Sequence, residues 1–259
     1  DRSPSRGLGD VYKRQVLTGI HLSSYGVDFP KEERESLLSL IQAVSRVEGI
    51  SRIRLGSLEP RIITEEFLEG IVKTGKVCPH FHLSLQSGCN KTLKNMNRRY
   101  SAQEYAEKCE LIRKFYPAPA LTTDVIVGFP QETEEDFEET LDVVSKCGYD
   151  TAFTFLYSRR SGTPAAEMEQ IPQDVAKERF NRLLALVQRE GRIRSSRFEG
   201  SVQEVLVEEE SSEKGIFTGR TEYNLLVHFP GTADLLGKYV KVSLDECHGF
   251  YYMGSLVEE

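Results

Sequence analysis

The alternation of short apolar strands with amphipathic helices, from Val16 to Tyr157, constrains this chain more than any other feature. Strands read near Val16-Gly19, Arg52-Ser57, Phe81-Gln86, Leu121-Gly128 and Ala152-Tyr157. Between them, apolar residues recur three and four apart around Leu37-Val44, Phe67-Val72, Tyr105-Ile112 and Phe137-Val144, the spacing of helices with one buried face. Strands joined through helices run parallel, so the pattern predicts an α/β fold with a parallel sheet, open or curled into a barrel. The clearest unit is Leu121-Thr-Thr-Asp-Val-Ile-Val-Gly-Phe-Pro-Gln-Glu-Thr133. Val125, Ile126 and Val127 form the apolar run expected of a strand covered on both faces, and Gly128 and Pro130 end it. Thr133, followed by Glu134, Glu135 and Asp136, then opens a helix with a capping hydroxyl and acids at its positive end. Gly128 sits where parallel α/β enzymes place their chemistry, and its bare backbone suits a flat ligand. The turn alone would also account for it.

Asp124 interrupts the same strand, and an acid there is costly unless paired. It either faces a barrel lumen with a basic partner or marks a different register. His80 and His82 share one face of the preceding strand. With no third ligand nearby they read as hydrogen-bonded lumen residues, and no metal site is predicted. Cys78, Cys89, Cys109, Cys147 and Cys247 are scattered and contain no Cys-x-x-Cys pair, which argues against both a disulfide framework and a complete metal site. Cys89 is read as an incidental cysteine.

A long helix is expected after Pro172, capped by Asp174, with Ala176, Phe180, Leu183, Leu184 and Val187 on one face. Arg179, Arg182, Arg189, Arg192, Arg194 and Arg197 accumulate toward its end. They suit either a solvated face at the negative end of the helix dipole or a surface that follows phosphates. Beyond Gly200 the rhythm changes to short β-prone runs at Val202-Val207, Gly215-Thr218, Leu225-Phe229, Tyr239-Leu244 and Phe250-Met253. These predict a small OB-like barrel, of the kind that holds oligonucleotides. Among its aromatics, Phe217, Tyr223, Phe229, Phe250, Tyr251 and Tyr252, some would stack on bases and at least half would fill the core. The net charge of -7 confines any nucleic-acid contact to a local patch. No stretch reaches the roughly 20 apolar residues of a membrane span and no secretory signal is seen, so a cytoplasmic protein with no membrane contact is expected. Asp1 to Gln15 lack either periodicity and read as a scar joined to the protein near Val16.

The ordered motifs Val16-Leu-Thr-Gly-Ile-His-Leu-Ser-Ser-Tyr-Gly26, Arg52-Ile-Arg-Leu-Gly-Ser-Leu-Glu-Pro60, His80-Phe-His-Leu-Ser-Leu-Gln-Ser-Gly88, Asp124-Val-Ile-Val-Gly-Phe-Pro130 and Phe155-Leu-Tyr-Ser-Arg-Arg-Ser-Gly-Thr-Pro-Ala-Ala166 resemble the radical S-adenosylmethionine methylthiotransferases. The terminal segment resembles a TRAM domain. The third motif and the closing Gly-Lys-Tyr-Val-Lys-Val look closest to the branch that modifies threonylcarbamoyladenosine in tRNA; isopentenyladenosine tRNA and ribosomal-protein enzymes are the alternatives within the family. The resemblance implies a partial (β/α) barrel over residues 16–196 and an RNA-binding TRAM domain over 197–259. It also implies S-adenosyl-L-methionine, two [4Fe-4S] clusters, tRNA as partner, a reducing electron donor and a sulfur source, and transfer of a methylthio group to carbon 2 of the adenine.

On that resemblance Ser57, Glu59, Gln86, Ser87, Gly128 and Pro130 are expected at the cofactor, with Gly128 and Pro130 on the adenine side. Arg159, Arg160, Arg192, Arg194, Phe217 and Tyr223 are expected at substrate or RNA, with Thr163 beside the first two. The family's Cys-x-x-x-Cys-x-x-Cys loop has no counterpart here, and five strands appear where its barrel has six. The chain is therefore expected to be a carboxyl-terminal fragment lacking the first strand and both cluster sites, with no catalytic residue assigned and no activity alone. Two readings from other classes remain: an RNA-binding fragment on an inert scaffold, and a non-radical barrel enzyme acting on a phosphorylated metabolite.

Overall fold

The computed structural model describes residues 13–30, 32 and 35–257, and the chain forms two compact units. One comprises Ser57–Glu65 and Phe81–Arg197; the other comprises Asp1–Gly56, Glu66–His80 and Phe198–Glu259. Residues 1–12 of the expected scar lie outside the described residues.

In the second of these units β1 (Arg14–Leu17) pairs in parallel with β2 (Arg52–Leu55). The strand starts two residues before the expected Val16, because the Lys13 carbonyl already accepts the amides of Ser51 and Arg52. Ile53 and Leu55 are buried on one face, where Ile41 of α1 (Leu37–Ser45) and Leu68 and Ile71 of α2 (Glu65–Val72) are buried too. Gly56 ends the ribbon: its amide donates to the Leu17 carbonyl at 2.7 Å, and a Cβ would meet that oxygen at 3.0 Å.

In the other unit the sheet order is β3 (Ser57–Leu58), β4 (His80–Leu83), β5 (Ala120–Val127), β6 (Thr151–Leu156). Because β2 and β3 are halves of the expected second strand, broken at Gly56, all five expected strands are present. The helices are α3 (Asn90–Asn95), α4 (Ala102–Phe115), α5 (Glu134–Cys147), α6 (Pro164–Glu167) and α7 (Gln173–Ser195); α3 and α6 are too short to show periodicity in the sequence. Ser101 and Thr133 each close a reciprocal capping box, with Glu104 and Asp136. The core joins Phe81, Leu83, Leu121, Val125 and Val127 to Tyr105, Ile112, Phe137 and Val144. Buried Tyr105 satisfies its hydroxyl on the Leu83 carbonyl at 2.7 Å. β5 is not covered on both faces as expected: Asp124 and Ile126 are only half-buried, leaving one face open. Nor does Asp174 cap α7; it lies in the first turn, and Pro172 is the cap residue.

The carboxyl-terminal strands β7 (Val202–Glu210), β8 (Ile216–Arg220), β9 (Leu226–Pro230), β10 (Tyr239–Cys247) and β11 (Tyr251–Leu256) close into a barrel in the order β10-β11-β9-β8-β7. Its ladders are antiparallel except β11–β9, which is parallel. Val205, Val207, Phe217, Val227, Phe229, Val242, Leu244 and Tyr252 fill the interior.

Candidate active site

The open face of the four-stranded sheet carries a polar row. Side chains alternate along β5, so Thr122, Asp124 and Ile126 point away from the buried Thr123, Val125 and Val127. The register places Phe153 and Phe155 of β6 beside Asp124 and Ile126, and Ser57 of β3 beside His82 of β4. Asp124 is paired, as its place in an apolar strand demands. Its Oδ2 accepts from His82 Nε2 and from Ser84 Oγ, both at 3.1 Å, while His82 Nδ1 lies 2.9 Å from Thr122 Oγ1. Burial pushes the Asp124 carboxyl upward, but the His82 hydrogen bond and charge and the Ser84 hydroxyl outweigh it and hold it below the usual range. Among the described residues no three His, Cys, Asp or Glu side chains converge on a metal position.

Ser57 extends this row, its hydroxyl 3.0 Å from that of Ser84. Glu59 precedes a 3-10 turn at Pro60–Ile62 and is half-buried. Tyr100 donates to the Ser84 carbonyl at 2.9 Å; burial, with the Glu59 charge adding, pushes its hydroxyl up to about 12. Gln86 bridges β4 to β5: its amide donates to the Asp124 carbonyl at 2.8 Å and its carbonyl accepts from Ile126 at 2.9 Å. It does so at a φ of 68°, a left-handed conformation that a side chain disfavours and that a surrounding structure must impose.

Three expected cofactor residues are committed to packing. Ser87 is buried against α5, its hydroxyl 3.2 Å from that of Thr140. Gly128 has a φ of 75°, and the close approach it permits is to α7, where a Cβ would lie 2.8 Å from Cβ of Ala176. Pro130 is buried in the turn that follows. Glu132, which the sequence reading missed, holds that turn: its Oε1 accepts the Gly128 amide at 3.1 Å and pairs with Arg179 at 3.1 Å. Burial raises its pKa against those two partners. No local motif joins residues so far apart in the chain. Cys89 is also buried, and its thiol donates to Asp136 at 3.2 Å.

At the ends of β5 and β6 lies a cleft of about 450 Å³, lined by Ile126, Phe155, Leu156, Tyr157, Ser158, Arg160, Thr163 and Ala165. Arg160 and Thr163 thus meet the open face, whereas Arg159 is exposed and outside the lining. The arginines of α7 are mostly engaged. Arg179 binds Glu132 and Glu134, Arg182 binds Glu134, Glu138 and Glu178, and Arg197 binds Asp150. Arg194 lies against Gly148, its pKa lowered by burial and then by Arg113; Arg192 is exposed. Phe217, 2% exposed, is core and has no ring face for a base, and Tyr223 is half-buried against Phe198 at 4.7 Å between ring centroids. Phe250, 76% exposed, is the open aromatic of the barrel.

Residues 11–144 match the model of the radical SAM superfamily. The chain belongs to the radical SAM superfamily. Residues 196–257 match the TRAM domain. Curated relatives include the tRNA-2-methylthio-N(6)-dimethylallyladenosine synthases of Lachnoclostridium phytofermentans, 46% identical over 98% of this chain and 55% of the relative, and of Clostridium botulinum, 41% identical over 95% and 55%. The chain therefore spans about half the length of the curated relatives it matches. Their names specify dimethylallyladenosine, so the expected threonylcarbamoyl branch is not supported. Coproporphyrinogen III oxidase of Escherichia coli, described as a radical SAM enzyme, shares the fold with a TM-score of 0.50 at 15% identity, covering 72% of this chain and 51% of its own. The fold is thus the partial TIM-like barrel of this superfamily, followed by the TRAM barrel.

The superfamily implies S-adenosylmethionine and an iron-sulfur cluster. The cleft suits the first, with apolar walls for a purine and Arg160 for a carboxylate. The cysteines do not suit the second: four of the five are buried, and among the described residues no set of cluster ligands converges.

Proposed function

We propose that this chain carries the S-adenosylmethionine cradle and the RNA module of a tRNA methylthiotransferase acting on N6-dimethylallyladenosine. The observation that carries this reading is the match, over nearly the whole chain, to relatives named for that product. The geometry supports it through one open cleft that combines apolar walls with Arg160, beside a hydrogen-bonded polar row. Residues 16–196 would supply the cradle and 197–259 the RNA contact.

Within the cradle, Ile126, Leu156 and Tyr157 would face the adenine, and Arg160 the methionine carboxylate, with Ser57, Glu59 and Gln86 along the rim. Bound S-adenosylmethionine supplies the radical precursor and the methyl group. The chain's own residues orient it and exclude water, with Asp124 holding His82 in one fixed hydrogen-bonded geometry. The two clusters, the electron donor and the sulfur source belong to the whole enzyme on this reading. Exposed Arg159 and Arg192 are the remaining candidates for tRNA phosphates.

Nucleoside analysis of tRNA from cells lacking the gene tests the proposal. Loss of the 2-methylthio form with accumulation of N6-dimethylallyladenosine is expected. Loss of a methylthio threonylcarbamoyl nucleoside instead, with the dimethylallyl series intact, would overturn it.

A further inference from the structure

The segment Asn90 to Tyr100 contains Lys91, Lys94, Arg98 and Arg99 and no acid, in a chain whose net charge is -7. Lys91 pairs with Asp136 at 2.7 Å. Arg98 and Arg99 are exposed, and among the described residues neither guanidinium has an ion pair or a hydrogen bond. Other arginines of the same compact unit behave differently: Arg113 pairs with Glu110, Arg179 with Glu132 and Arg197 with Asp150.

The backbone pins these two residues in place. Asn97 takes a left-handed φ of 58°; its amide donates to the Lys94 carbonyl, and the Arg98 amide donates to the Leu93 carbonyl, both at 2.9 Å. Those two bonds close the end of α3, satisfying carbonyls that a helix terminus leaves open. Thr92 and Leu93 are buried on one side of the turn in sequence. On the other, Tyr100 is buried and donates to the Ser84 and Leu85 carbonyls at 2.9 and 3.2 Å. Asn90 Oδ1 accepts the Ala102 amide at 2.9 Å, which joins the two ends of the segment. Arg98 and Arg99 therefore stand on an anchored turn, tied through the next residue to Ser84, whose side chain donates to Asp124. The turn belongs to the connection that follows β4, at the carboxyl end of a parallel strand, where such folds collect substrates.

Neighbouring guanidinium groups repel each other, and a phosphate backbone relieves that repulsion while releasing its own counterions. Guanidinium forks match phosphate oxygens, and a turn that is already ordered lowers the entropy cost of binding. We propose that Arg98 and Arg99, beyond Arg159 and Arg192, contact backbone phosphates of RNA and hold that strand at the polar row of Ser57, Ser84 and Asp124. The proposal rests on the tRNA reading above and names where this unit grips that substrate.

The test is the salt dependence of tRNA binding by the full chain, compared among the parent, R98Q/R99Q and R98K/R99K. The slope of log affinity against log salt should become shallower by about two in R98Q/R99Q and recover in R98K/R99K, because neutralising phosphates depends on charge. Thermal melts of all three should coincide, since both side chains are exposed. A lower Tm in both variants, with the slope reduced in both, would mean that the arginines serve the fold and would overturn the proposal. Weakened S-adenosylmethionine binding with an unchanged tRNA slope would assign the pair to the cofactor carboxylate and overturn it too. If the parent binds tRNA and R98Q/R99Q shares its slope, this site is refuted and the tRNA reading stands. A parent with no measurable tRNA affinity at low salt would refute both.

Discussion

Gly128, expected at the adenine, also answers a demand of packing. Its φ of 75° and its 2.8 Å clearance to Ala176 require a glycine for the turn and for α7 alone. Gly128→Ala should destabilise the chain by about 2 kcal/mol, combining left-handed strain with overpacking. Adding Ala176→Gly should restore the packing part and leave the strain, which chemical denaturation of both variants would reveal; full recovery would mean that strain contributes nothing. Asp124 belongs to the same scale. Its carboxyl is held below the usual value, so its stabilising contribution is present above the ordinary carboxylate pKa of ~4 and disappears as the pH falls through the folded value. The stability difference between the parent and Asp124→Asn should therefore be open at pH 7 and close in acid. A difference that stays constant with pH would show that His82 and Ser84 do not tune this carboxyl.

At the scale of elements, capping and periodicity made α4, α5 and β5 legible. Thr133 is a cap residue whose reciprocal acid stands three positions on, a signal contained within four residues, whereas α4 was read from its periodicity and its cap, Ser101, was found only in the structure. The docking of α7 was not legible, because it depends on contacts between distant segments. Arg179 reaches Glu132 and Glu134, and Arg182 lies 5.0 Å from the Phe137 ring centroid, so a helix that read as a basic surface is tied to α5 by charge. Arg179→Leu should cost on the order of 3–5 kcal/mol, because it leaves Glu132 buried without its counter-ion. Adding Glu132→Gln should recover part of that loss, as thermal melts would show. If the second change deepens the loss, the Gly128 amide matters more to Glu132 than Arg179 does.

For the whole molecule, parallel pairing and the five-stranded terminal barrel could be anticipated from alternation and turn spacing, because each follows from local pattern. Side-chain direction could not: Ser87 and Phe217 occupy expected positions yet face packed interiors. Substrate identity was least legible, since the motifs quoted for the threonylcarbamoyl branch occur in a chain that matches relatives named for dimethylallyladenosine. The cysteines carry a definite expectation. Cys78, Cys89, Cys109 and Cys147 are buried, and burial raises the thiols of Cys78 and Cys89, the former to about 11, which disfavours the thiolates a cluster requires. Anaerobic reconstitution of this chain should yield far less than one [4Fe-4S] per molecule by iron and sulfide assay, and stoichiometric loading would refute that expectation.

The outermost strand of the sheet has a practical consequence. Among the described residues β6 pairs only with β5, and its sequence Thr-Ala-Phe-Thr-Phe-Leu contains neither a charge nor a proline. Phe153 and Phe155 stand 49% and 50% exposed along it. Such a border is a template for a second copy to add on strand by strand, since the gatekeeping charges that usually interrupt that growth are missing. Association of this polypeptide through that rim is therefore expected to grow with concentration.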